Sequence, residues 1–264
     1  AYPARFIPMT LPVIWDAQQC ADEVRRVAKK GVHAITFSEN PAAMGYPSFH
    51  DEYWNPLWKA LCDTDTVLNV HIGSSGKLAI TAPDAPMDVM ITLQPMNIVQ
   101  AAADLLWSRP IKEYPDLKIG LSEVGTGWIP YFLERADRTY EMHSTWTGQD
   151  FGGKVPSDIF REHFLTCFIS DPIGVKLRHE IGIDNISWEA DYPHSDSMWP
   201  GAPEELWEVL MANDVPDDDI NKMTYQNAMR WYSFDPFVHI TREQATVGAL
   251  RKAAEGHDVS IQAL

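Results

Sequence analysis

The chain has 264 residues, with 45% hydrophobic and 22% charged residues, enough for one large α/β domain of ordinary globular composition. Its formal net charge of −16 sets it against phosphate backbones and anionic bilayers, so neither nucleic acid nor a membrane surface is an expected partner. An anionic substrate would need positive charge supplied locally, and a metal ion is the simplest source. No apolar run is expected to reach the roughly 18–20 residues of a bilayer span, and the N-terminus lacks the basic-then-apolar order of a signal peptide. Cys20, Cys62 and Cys167 lie scattered in apolar stretches without a CxxC pair, which reads as reduced thiols and a cytoplasmic location.

In chain order, Arg5 to Ile14 reads as a first strand. A helix follows from Asp16, its N-cap, to the terminator Gly31. His33 to Glu39 is a β-branched and aromatic strand, and a loop rich in Pro and Gly leads to a helix near Tyr53 to Thr64. Thr66 to Gly73 is the next strand. A long loop through Lys77 to Asp88 then precedes a helix near Pro95 to Ser108. Leu117 to Glu123 is a strand, and a long helix begins after Thr126 and Gly127. Phe164 to Ser170 is a strand, VKLRHEIG is helical, and Asn185 to Pro193 is the last strand. Helices near Pro203 to Ala212 and Asp217 to Tyr232 complete the pattern, with a helical or loose tail from Phe234. About six strand–helix units in alternation imply a parallel sheet, either doubly wound or a barrel, and eight units would close a barrel. A doubly wound nucleotide-binding sheet would carry an early glycine loop. VGTG (residues 124–127) comes too late and lacks the spacing.

In a barrel the working side chains stand at the carboxyl ends of the strands. Those ends carry Asp16, Glu39, His71, Glu123, Asp171, Asp191 and His194. One rim with imidazole and carboxylates suits a divalent ion such as zinc or manganese, which activates bound water near neutral pH. Each residue also has an ordinary reading. His71 fits a satisfied strand histidine, Glu123 a cap for the following helix, Asp191 a turn-former, and His194 a surface residue. His33, His239 and His257 read as structural or exposed.

Several segments resemble the amidohydrolase-2 family, the aminocarboxymuconate semialdehyde decarboxylase-like barrel enzymes. They are ADYPHSDSMWP (Ala190 to Pro200), NVHIGSSG (Asn69 to Gly76), LKIGLSEVGTGWIPYFLERAD (Leu117 to Asp137), Ile35 to Trp58 and Asn227 to Pro236. The resemblance implies a (β/α)8 TIM barrel. It also implies one divalent metal, zinc first and manganese second, with His71 and Asp191 as ligands. Glu123, Asp191 and His194 become the implied catalytic residues, although many members carry a histidine where this chain has Glu123. The family opens on a strand bearing D-x-H-x-H or D-x-H-x-x-E, and this sequence has neither. The expectation is therefore a barrel lacking its first two strands, in an N-terminally incomplete chain or one partnered by a separate fragment.

The expected function is a metal-dependent hydrolase or non-oxidative decarboxylase, a carboxy-lyase, acting on a small organic acid, aromatic and cyclic acids included. The alternative is a metal-poor ligand-binding or split-subunit barrel that needs another fragment for activity. The expected organisation is a barrel over residues 1–234 and a tail over 235–264 that packs on the barrel or a partner, with homo-oligomerisation a further expectation.

Overall fold

A computed structural model describes residues 5–257. Five strands form one parallel sheet: β1 (Ala34–Ser38), β2 (Val67–His71), β3 (Ile119–Ser122), β4 (Phe164–Phe168) and β5 (Ile186–Trp188). They lie side by side in chain order, with no reversal at which a doubly wound sheet would switch direction. That progression is the one found in a (β/α) barrel. Among the described residues β5 and β1 do not pair with each other.

Helices fill each crossover. α1 (Ala17–Ala28) precedes β1, and α2 (Asn55–Asp63) leads to β2. α3 (Met87–Leu93), α4 (Met96–Leu106) and α5 (Arg109–Glu113) separate β2 from β3. α6 (Ile129–Thr147) and α7 (Pro156–His163) lead to β4, then α8 (Pro172–Lys176) and α9 (Arg178–Ile181) to β5. Beyond β5 stand α10 (Ala202–Ala212), α11 (Asp217–Asn221), a π-helical turn at Lys222–Gln226, α12 (Asn227–Trp231) and α13 (Val247–Ala253). The tail folds back here: Phe237, Ile240 and Leu250 line a cavity of about 800 Å³ with Leu206 and Leu210 of α10. Residues 258–264 of the expected tail lie outside the described residues.

The first expected strand does not form. Arg5 to Ile14 contributes one isolated bridge, in which Thr10 N–H donates to Ala34 O and Thr36 N–H to Thr10 O, at 3.0 and 2.9 Å. Pro8 and Pro12 flank Thr10, and each removes a ladder donor, so pairing cannot propagate either way. The expected six strands are therefore five. The long loop also differs, because its end joins α3, none of whose residues is buried. Residues Met87–Leu106 are together long and apolar enough to cross a bilayer by length and composition, contrary to the sequence reading. The stretch is interrupted between α3 and α4, and α4 buries Ile98, Ala101, Ala102, Leu105 and Leu106 in the core.

Both faces of the strands are covered, which explains their near-continuous apolar character. β2 buries Val67, Leu68, Asn69 and Val70 and exposes only its last residue, His71. α1 buries Cys20, Ala21 and Val24 on one helical face, and Asp16 caps it by accepting the Gln19 N–H at 2.9 Å. One close approach fixes a glycine. Asn69 Nδ2 donates to Ile35 O at 3.1 Å, and Asn69 Oδ1 accepts from the Tyr232 hydroxyl beyond α12. A Cβ at Gly120 would stand 2.2 Å from that Asn69 oxygen. All three cysteines are free, and burial pushes the Cys20 thiol up to about 12 and Cys62 to about 11.

Leu68 is fully buried at the centre of β2. Leu68→Ala is expected to lower the unfolding free energy by about 2–5 kcal/mol. Urea denaturation reads this directly, and an unchanged midpoint would remove Leu68 from the core.

Candidate active site

All five strands point the same way, so their carboxyl ends share one edge. β2 ends on His71, and β3 ends one residue before Glu123. Three residues beyond β5 stands Asp191, and a turn in which His194 N–H donates to Asp191 O at 2.8 Å returns the His194 ring over that edge. These four side chains meet. His71 Nε2 lies 2.8 Å from Glu123 Oε2, while His194 Nδ1 lies 3.6 Å from Glu123 Oε1 and 3.1 Å from Asp191 Oδ2. One ligand atom each from Glu123, Asp191 and His194 can be chosen so that all lie within 4.8 Å of one another. The acids sit inside and the imidazoles at the mouth: side-chain exposure is 11% for Glu123 and 21% for Asp191, against 47% for His71 and 54% for His194.

The protonation pattern follows from the partners. His71 Nδ1 lies 2.6 Å from Ile72 O, and a carbonyl can only accept, so Nδ1 carries the hydrogen. In a neutral ring this turns the Nε2 lone pair toward Glu123, the arrangement in which a histidine ligates a cation. Burial raises the Glu123 carboxyl to about 7, with the neighbouring Asp191 adding to the rise and the two imidazoles opposing it. Asp191 Oδ2 is buried and accepts no hydrogen bond, even with His194 Nδ1 close by. A buried carboxylate oxygen without a hydrogen bond, beside a second carboxylate, suits a cation, and the mixed imidazole and carboxylate donors suit zinc or manganese. Glu123 (φ 63°) and Asp191 (φ 51°) also occupy the left-handed region, uncommon for non-glycine residues and most unusual at a glutamate.

The other rim residues serve local structure. Asp16 caps α1. Glu39 is buried and accepts from Ser75 N–H and Ser75 Oγ, both at 2.7 Å, pinning the loop after β2. Asp171 accepts from Thr126 Oγ1, Gly127 N–H and Gly174 N–H at 2.7–3.0 Å, fixing the loop after β3 and the start of α8. His33 donates from Nδ1 to Thr64 O at 2.7 Å, and His239 and His257 are exposed, in line with their structural or exposed reading. One neighbour escaped the sequence reading. Glu189 Oε1 accepts the Glu123 backbone N–H at 2.9 Å, and burial raises the Glu189 carboxyl. Its signal was a charged residue in an apolar strand, two positions before Asp191 and two after the buried Ser187.

Several solved structures share the fold. The chain is similar to 5-carboxyvanillate decarboxylase from Sphingomonas paucimobilis, with a TM-score of 0.67 and 21% identity over 83% of this chain and 64% of that one. It is similar to 2,6-dihydroxybenzoate decarboxylase from Rhizobium, with a TM-score of 0.63 and 18% identity over 87% and 71%. A third is 5-carboxyvanillate decarboxylase from Novosphingobium aromaticivorans DSM 12444, complexed with manganese and 4-hydroxy-3-methoxy-5-nitrobenzoic acid. Its TM-score is 0.65, with 21% identity over 88% and 66%. The chain spans less than two thirds of the length of the Sphingomonas enzyme, and at these identities the likeness is one of fold. No curated protein sequence matches the chain. The amidohydrolase family profile (Amidohydro_2) matches residues 1–234, and over that span the chain belongs to the amidohydrolase family.

Proposed function

We propose that this chain carries the metal-centred active site of a non-oxidative decarboxylase or hydrolase acting on a small aromatic or cyclic organic acid. The observation that carries the reading is the clustering of ligand atoms from Glu123, Asp191 and His194, with Asp191 Oδ2 buried and without a hydrogen bond. Family membership and the decarboxylase folds it resembles, one of them holding manganese and a nitrobenzoic acid, favour decarboxylation over hydrolysis.

Asp191 and His194, with His71 Nε2 and the Glu123 carboxylate beside them, would hold one divalent ion. When bound, that ion supplies a Lewis acid that orients the acid's oxygens and offsets developing negative charge. His71 is pre-oriented by its Nδ1–H···O bond to Ile72. Without the ion, burial raises the Glu123 carboxyl to about 7, which suits it to give up and take back a proton at the rim. As the bond between ring carbon and carboxylate breaks, its electron pair stays on the ring carbon and takes the proton from Glu123. Carbon dioxide leaves, and solvent returns a proton to Glu123. Tyr192 and Trp199 are exposed, with ring centroids 5.1 Å apart, on the same loop that carries His194, and offer an aromatic surface.

Purified chain is expected to hold about one zinc or manganese per molecule, and His71→Ala or Asp191→Ala to lose it by metal analysis. Wild-type chain still empty after incubation with either ion would sink the metal reading and favour a ligand-binding or split-subunit role. Glu123→Gln is expected to bind the metal more weakly and to release carbon dioxide from hydroxylated benzoates about 10²–10⁴-fold more slowly at saturating metal. Equal turnover would take the proton transfer away from Glu123.

The cluster's pH dependence has a definite sign. A cation beside Glu123 disfavours the proton that the metal-free carboxyl retains up to about pH 7. Metal affinity should weaken as pH falls below about 7 and level off above it, with proton release on binding near neutrality. Calorimetry in buffers of different ionisation enthalpy reads both effects, and a flat profile between about pH 5 and 8 would separate Glu123 from the metal cluster.

A further inference from the structure

We propose that Glu189 is a positioning residue for this centre: its carboxylate holds the backbone of Glu123 and so sets where the Glu123 side chain meets His71, Asp191 and His194. The inference rests on the metal-centred reading above and adds a residue whose carboxylate supplies none of the clustered ligand atoms.

Glu123 lies one residue past β3 and Glu189 one residue past β5, with β4 between them in the sheet. Glu189 nevertheless spans the gap. Its N–H donates to Phe168 O, the last residue of β4, at 3.0 Å, and its Oε1 accepts the Glu123 N–H at 2.9 Å. One residue therefore ties together the ends of three strands. The bond falls where the chain needs it. The paired register of β3 with β2 stops at Ser122, and Glu123 then turns into the left-handed region at φ 63°. A glutamate stays in that conformation only when its surroundings hold it there. The Glu189 bond supplies such a hold, and the Glu123 side chain then reaches His71 on one oxygen and approaches His194 on the other.

The geometry makes Glu189 an acceptor rather than a ligand. The clustered ligand atoms belong to Glu123, Asp191 and His194, while Glu189 lines the 260 Å³ cavity inside the sheet with Asn69, Cys167 and Tyr232. Gln at 189 keeps an acceptor of the same reach, and Leu keeps the bulk without it. Proteins that bind metals through residues held by such outer partners lose affinity when the partner is removed.

The test uses the full chain as Glu189→Gln and Glu189→Leu, each checked for an intact far-UV circular dichroism spectrum. Manganese affinity is measured from the electron paramagnetic resonance signal of the free ion, and exchange of the Glu123 amide by hydrogen–deuterium exchange. E189L is expected to bind manganese about 10- to 100-fold more weakly and to exchange its Glu123 amide faster, while E189Q keeps wild-type affinity and protection. Wild-type affinity in E189L overturns the proposal, as does an E189Q that weakens as far as E189L. Wild-type protein that binds neither manganese nor zinc sinks the metal-centred reading. The exchange arm then decides on its own: unchanged Glu123 protection in E189L overturns the positioning role, and faster exchange retained only there upholds it.

Discussion

The contact between Glu123 and its neighbours is the constraint around which the site is organised. A carboxylate pressed against Asp191 in a half-enclosed site is unfavourable unless a proton or a cation stands between them. The chain answers with two imidazoles at the mouth and with a Glu123 carboxyl raised to about 7. None of the four residues is a sequence neighbour of another beyond the Asp191–His194 turn. Their meeting depends on strands that run parallel in chain order and end on one edge. Anything that unpaired β2, β3 or β5 would dissolve the cluster without touching any of its members.

The same edge shows how one residue type takes different tasks. Glu39 and Asp171 are also rim carboxylates, yet each is saturated by hydroxyl and backbone donors from an adjacent loop. A carboxylate whose acceptors are filled gains nothing from a cation, whereas Asp191 Oδ2 accepts no hydrogen bond. What separates the clustered acids from the structural ones at this rim is the supply of N–H and O–H groups, not position along the strand.

That distinction marks how far the sequence could be read. β1 to β5 were legible because a strand covered on both faces is an almost uninterrupted apolar run, and His71, Glu123 and Asp191 interrupt or end such runs. The segment around Thr10 misled because its apolar residues outweighed Pro8 and Pro12, which deny the ladder its donors. α3 was hidden because it buries nothing, so its residues carry no amphipathic signal. Choosing among the seven rim candidates required knowing which loops fold back to satisfy them, information that resides in tertiary contacts. Glu189 was visible as a charge within an apolar strand, but its partner lies 66 residues away across an intervening strand.

The left-handed backbone at Glu123 carries a consequence for how this protein would change under selection. Glycine there would relieve the conformation and remove a half-buried carboxylate at once, both gains for folding alone. Stability and chemistry therefore pull in opposite directions at this one position. A population of variants selected only for heat resistance would drift toward glycine at 123, becoming sturdier and, under the role proposed for Glu123, inert together. Retention of glutamate under such pressure would report that the site itself, and not the fold, is what selection preserves.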